Sequence, residues 1–187
     1  MYLLENPSGF FEGVRDESWK PSFKFFLQIT IVLSIATPIV NYLGIESKDF
    51  SSSYQAQIIA YRLMKNFLLD RYGISAYLIE PLLILAFACV ILLLLVGFLH
   101  IIFRLMRGKG SVLNAWKAAC YGVAPCILGG FLPYISLFAG FYSLLLQCYM
   151  GPKVLYAVKE SRALFWLALI IALTFIEMFT MGTTVGF

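Results

Sequence analysis

Two carboxylates fall inside stretches that are otherwise apolar. Glu80 sits in Ile79-Glu80-Pro81-Leu82, and Glu177 follows Thr174-Phe175-Ile176. A charge at the centre of a bilayer costs about 2.5–3.5 kcal/mol on insertion scales, so such a group is a functional candidate by default. Arg62, Lys65 and Arg71 precede Glu80 in the chain. Glu80, Glu177 and Arg71 brought to one membrane face would form a polar site for an ion, a proton or a lipid headgroup. The structural alternative has Glu80 at the interface and Glu177 pairing with a loop arginine to fix the bundle. Other reactive residues are few. His100 is the single histidine, and Cys89, Cys120, Cys126 and Cys148 form no C-x-x-C pair and do not flank it. The reading is an interfacial, solvated His100, with no metal site and no disulfide frame. The cysteines are expected to act as small packing residues. No G-x-S-x-G, H-E-x-x-H or P-loop pattern occurs, so the common hydrolase and nucleotide chemistries lack their parts. The expectation is a protein without enzymatic activity, catalytic residues or cofactor.

The elements that must position these residues follow from composition. Of 187 residues, 61% are hydrophobic and 13% charged, against roughly 45–50% and 25% in a soluble domain. A chain so apolar must be dissolved in lipid. Apolar segments of about 20 residues cross the hydrocarbon, and five are predicted, at 23–42, 74–103, 112–132, 134–155 and 163–181. The fold class is therefore all-α: a polytopic membrane protein with five transmembrane helices in a bundle. With five spans, Arg15, Lys20, Lys24, Arg104, Arg107, Lys109, Lys117, Lys153, Lys159 and Arg162 share one side. Lys48, Arg62, Lys65 and Arg71 share the other, which accounts for all 14 basic residues. Positive residues stay inside, so the N-terminus is expected in the cytoplasm and the C-terminus outside. Glu177 then lies roughly 22 Å along a helix from Arg162, on the outer side with Glu80. The basic run 104–109 suits anionic headgroups. The net charge of +4 is read as a topology signal, not as a nucleic-acid footprint.

Two polar segments are expected to be helical. Residues 1–22 form a cytoplasmic N-terminal segment with no cleavable signal pattern. Asn6 caps a helix with Pro7 at its first position, and Phe10, Phe11 and Val14 share one face. The outer loop, 43–73, is too long for a simple connection. Ser51-Ser52-Ser53 offers a cap, and Ile59, Leu63 and Phe67 recur every fourth residue, which predicts a second amphipathic helix. The first is expected to lie on the cytoplasmic leaflet and the second on the outer surface or over the bundle, with lipid, the bundle and a second copy as the candidate partners of both.

The third and fourth spans carry small residues at helical spacing. These are Ala118, Gly122, Cys126 and Gly130 on one, and Ser136, Gly140, Ser143, Gln147 and Gly151 on the other. Membrane helices associate through close packing of small residues and interhelical hydrogen bonds. The two stripes are predicted to meet in a hairpin turning at Pro133, with Gln147 bonding across and Pro125 bending its helix. Gln28 and Asn41 are further candidates for interhelical bonds.

The run GKGSVLNAWKAACYGVAPCILGG, residues 108–130, followed by an apolar hairpin, a basic loop and a last span, resembles the Yip1-domain family. NPSGFFEGV, residues 6–14, is similar to the opening of prokaryotic members. The G-x-G-S at 108–111 and the Tyr121-Gly122…Pro125 element are its most specific parts. The resemblance implies five spans and a cytosolic N-terminus. Eukaryotic members associate with Rab-type GTPases and with one another in vesicle traffic, and carry a long N-terminal region. This chain has about 22 residues there, and Ile79-Glu80-Pro81-Leu82 where a D-L-Y-G element would stand, which argues against Rab binding. The resemblance thus implies a short prokaryotic-type member in the cell membrane.

Together these features predict a non-enzymatic protein that organises or recruits membrane proteins or lipids. Its expected partners are membrane lipids, a second copy or other membrane proteins. The alternative is a small transporter, channel or lipid-translocating protein with an outward-facing site at Glu80 and Glu177, since broken helices beside intramembrane charge mark substrate paths.

Overall fold

The computed structural model describes residues 2–42, 52–125 and 133–184, which contain helices and no strand. The chain starts with two short helices, α1 (Tyr2–Glu5) and α2 (Pro7–Val14). The Asn6 side chain accepts the Gly9 N–H at 3.0 Å, and Pro7, which has no N–H to leave unsatisfied, follows it. Phe11 and Val14 turn inward and are buried. They pack within the protein core, so the bundle, not the leaflet, takes this face of the N-terminal segment.

Three long helices follow: α3 (Trp19–Tyr42), α4 (Ser52–Tyr72) and α5 (Ala76–Leu105). Gly73, at φ 56°, sits in the turn between α4 and α5, a conformation glycine adopts without a Cβ penalty. Among the described residues one helical stretch, Arg62–Leu105, is long and apolar enough to span a membrane, its most apolar window having a mean hydropathy of 3.3. Only 17% of its apolar window is buried. The core helix of a soluble protein would be mostly covered, whereas Leu82, Phe87, Leu93, Leu94, Phe98 and Ile101 all face outward.

The short helix α6 (Val112–Gly122) occupies the centre, packed on α3, α5 and the chain beyond residue 145. Ala115, Ala118, Ala119 and Cys120 have no exposed surface. α7 (Pro133–Leu145) passes through a π-helical turn at Leu146–Met150 into α8 (Gly151–Leu155), and α9 (Glu160–Thr184) closes the described chain.

The α4 helix forms where the loop pattern places one, but its inward face differs. Leu63 and Phe67 are each 65% exposed, while Leu68 is 4% exposed. The turn at Gly73 sets how α4 lies against α5 and α9, and that rotation brings Leu68 inward. Gln28 is also exposed and makes no hydrogen bond among the described residues, because α3 turns that face away from its neighbours. The side chains of Asn41 and Ile59 lie outside the described residues.

Candidate functional site

The α6 helix ends at Gly122, three residues before Pro125. Proline cannot donate to the carbonyl four residues back, and its ring crowds that carbonyl. The last carbonyls of a helix also lack intrahelical partners. In an apolar interior these groups need donors from elsewhere. One comes from α7: the Ser143 hydroxyl donates to the Gly122 carbonyl at 2.5 Å. The Gln147 amide donates to Ser143 Oγ at 2.9 Å, four residues back on its own side, so Ser143, not Gln147 as expected, makes the bond across, and Gln147 holds the Ser143 hydroxyl in place. Gly122 has no Cβ because the Gln147 Cγ fills that space. One turn away, a Cβ on Gly151 would lie 2.9 Å from the Ala118 Cβ.

Ala118 and Gly122 therefore lie against Ser143, Gln147 and Gly151. Gly140 faces open space, so the contact ends near it. Cys126 and Gly130 lie outside the described residues, as does the side chain of Ser136. The π turn belongs to the same knot. Pro152 removes one backbone donor, and the Gly151 N–H reaches back five residues to the Leu146 carbonyl. This inserts a wide turn where Gln147 and Cys148 are buried. Such π turns recur at functional sites.

A second knot closes the basic end. Tyr156 has no exposed surface, and the 108–111 loop wraps around it. A Cβ on Gly108 would sit 2.9 Å from the Tyr156 side chain, and one on Gly110 2.6 Å from its ring. The Lys109 N–H donates to the Tyr156 carbonyl at 2.8 Å, and Asn114 Nδ2 to the Leu155 carbonyl at 2.9 Å. The Tyr156 hydroxyl donates to the Ser111 carbonyl at 2.6 Å. It has one proton, so at 2.5 Å from His100 Nδ1 it must accept, and Nδ1 carries the hydrogen. His100 is thus tied into the fold and half-buried. Burial pushes the Tyr156 phenol up to about 12, although nearby Arg104 opposes the shift. At the rim, Lys153 pairs with Glu160 at 3.0 Å. The Tyr149 hydroxyl bonded to Glu160 at 2.6 Å, together with Lys153, holds that carboxylate below its ordinary range.

The N-terminal segment is pinned beside the first knot. Lys117 is 1% exposed, and its Nζ donates to the Arg15 carbonyl at 2.7 Å. Phe10 meets the Tyr121 ring edge-on, with centroids 4.8 Å apart. In sequence Lys117 is one of ten basic residues on its side, with nothing to mark it as buried. Tyr156 is equally unmarked; only the paired Gly108 and Gly110 hint at a close approach.

The two carboxylates lie on different helices, α5 and α9. Glu80 is 2% exposed within α5, beside Pro81. Arg71 is exposed on α4, and among the described residues no ion pair joins it to Glu80. Glu177 lies on α9, and its side chain is outside the described residues. Among those residues no three His, Cys, Asp or Glu side chains gather as a metal site.

The Tyr121-Gly122…Pro125 element is thus the helix break, and the 108–111 loop is the cover over Tyr156. The model of the Yip1 domain matches residues 1–181, nearly the whole chain. The chain belongs to the Yip1 domain family. No curated protein and no solved structure matches it. Family membership and the apolar, outward-facing α5 make it a membrane protein of the Yip1 type. Both knots fall within the matched residues of this Yip1 protein.

Proposed function

We propose that this Yip1 protein is a non-enzymatic organiser in the cell membrane, recruiting membrane proteins or lipids. It crosses the bilayer five times with its N-terminus in the cytoplasm. The observation that carries this reading is the first knot. Ser143 satisfies the Gly122 carbonyl across the α6–α7 contact and accepts in turn from Gln147. These bonds leave a packed centre where a transport path would need free polar groups. Alanines without exposed surface on α6 fill the remaining space.

Glu80, buried beside a proline in α5, favours a second reading, a small transporter or channel opening outward at Glu80 and Glu177. Single cysteines at these two positions, in a background without the four native cysteines, separate the readings. A membrane-impermeant thiol reagent is added from outside to intact vesicles. The organiser reading expects protection at Glu177→Cys in a folded protein. Labelling at both positions establishes a hydrated outer cavity and overturns it.

A further inference from the structure

A groove of about 280 Å³ runs between the end of α5 and the first turns of α9. Leu105, Met106, Ser161, Arg162, Phe165 and Trp166 line it. Its apolar walls continue outward into Leu105 and Phe165, which are 75% and 69% exposed. Arg162 and Trp166 are one turn apart on α9, so both reach the same face. Arg162 donates one N–H to the Met106 carbonyl at 3.2 Å, and a guanidinium carries five. The Trp166 Nε1–H is buried without a hydrogen-bond partner. The protein covers that N–H, so it is the ring of Trp166 that lines the groove. Arg104, Arg107 and Lys109 stand exposed at this end, while the nearby Glu160 is engaged by Lys153. The other orphan indole, Trp116, borders a groove with Trp19, Val112 and Leu113, which offers an anion no cation.

We propose that the α5–α9 groove binds one anionic phospholipid. Its phosphate sits on Arg162, and an acyl chain lies along Leu105, Phe165 and the Trp166 ring. Trp166 is six residues into α9, about 9 Å from its start, where headgroup gives way to hydrocarbon if α9 begins at the interface. The proposal rests on the membrane reading above and names the lipid class that this end selects.

The test uses the full chain with Trp19→Phe and Trp116→Phe, so that Trp166 is the only tryptophan. It is reconstituted in phosphatidylcholine vesicles carrying a minor fraction of brominated phosphatidylglycerol or of brominated phosphatidylcholine. Bromine quenches tryptophan at contact. The anionic probe is expected to be preferred about tenfold, the scale of one charge-assisted contact. Arg162→Gln should erase that preference and keep quenching by the neutral probe, while Arg107→Gln, outside the groove, should retain it. Equal quenching by the two probes in the parent protein overturns the proposal without any variant. Equal loss in Arg107→Gln also overturns it, in favour of diffuse surface charge. Inorganic phosphate competing off the anionic probe would assign the site to a free anion and overturn it too. Absence of quenching by either lipid removes the membrane reading itself, a distinguishable failure.

Discussion

The Gly122 carbonyl at the end of α6 accepts its hydrogen bond from Ser143 of α7, 21 residues on. A helix broken before a proline is thus completed by its neighbour. Ser143→Ala leaves that carbonyl without its donor and frees the Gln147 amide. The expected loss is about 1–2 kcal/mol, toward the low end because membrane hydrogen bonds average near 0.6. Gly122→Ala should cost about 1–3 kcal/mol by overpacking against Gln147. Gln147→Ala should recover part of it. A double-mutant cycle on unfolding in detergent measures the coupling, and additive losses would show that the two residues are not in contact.

The small-residue spacing, read with the antiparallel order of the two spans, was enough to pair Gly122 with the Ser143–Gln147 region. The cap at Asn6 was equally legible, because a cap is local chemistry. What the residues alone did not reveal is long-range. Lys117 meets a backbone carbonyl 102 residues away, and such a partner leaves no side-chain signature. The rotation of α4 was hidden for a related reason. Apolar spacing marks a face, but lipid satisfies such a face as well as protein does, so Leu63 and Phe67 stay outside and Leu68 packs. The π turn escaped because a helical stripe looks the same until Pro152 widens the turn.

Glycines in this chain divide into those pressed against a neighbour and those in open space. Gly110→Ala places a methyl against the buried Tyr156 ring and should cost about 1–3 kcal/mol. Gly97→Ala and Gly140→Ala meet nothing within 4 Å. Each should be neutral or gain up to about 1 kcal/mol from helix propensity. Thermal unfolding of the three variants side by side tests the contrast. A harmless Gly110→Ala would mean the loop does not close on Tyr156.

Alkaline stability should report Tyr156. Its phenol is raised from about 10 to about 12, so the folded state keeps a proton that the unfolded chain has released. That contribution is complete below about pH 10 and is lost as pH rises through about 12. Tyr156→Phe should shrink this limb of the pH profile by one proton's share while lowering stability at neutral pH through the lost bonds to Ser111 and His100. An unchanged alkaline limb would place the titration elsewhere.

Trypsin should read the N-terminal latch. Lys117→Met removes the donor to the Arg15 carbonyl, a charge-assisted bond worth about 1.5–3 kcal/mol. Where opening is fast relative to cleavage, cutting after Arg15 should quicken about tenfold or more. Cutting elsewhere in the chain serves as the internal control. Equal rates at Arg15 would mean that Phe10 and Phe11 hold the segment unaided.

The 21 residues separating Gly122 from Ser143 also set a clock. At a synthesis rate of about 5–20 residues per second, the broken end of α6 waits roughly 1–4 s for its donor. Over that interval α6 has an unsatisfied terminus and a basic side chain, a poor candidate for entering lipid alone. It enters best together with α7, as a pair. Arg15 waits far longer for Lys117, 102 residues on, so the N-terminal segment stays unlatched while α3, α4 and α5 are made.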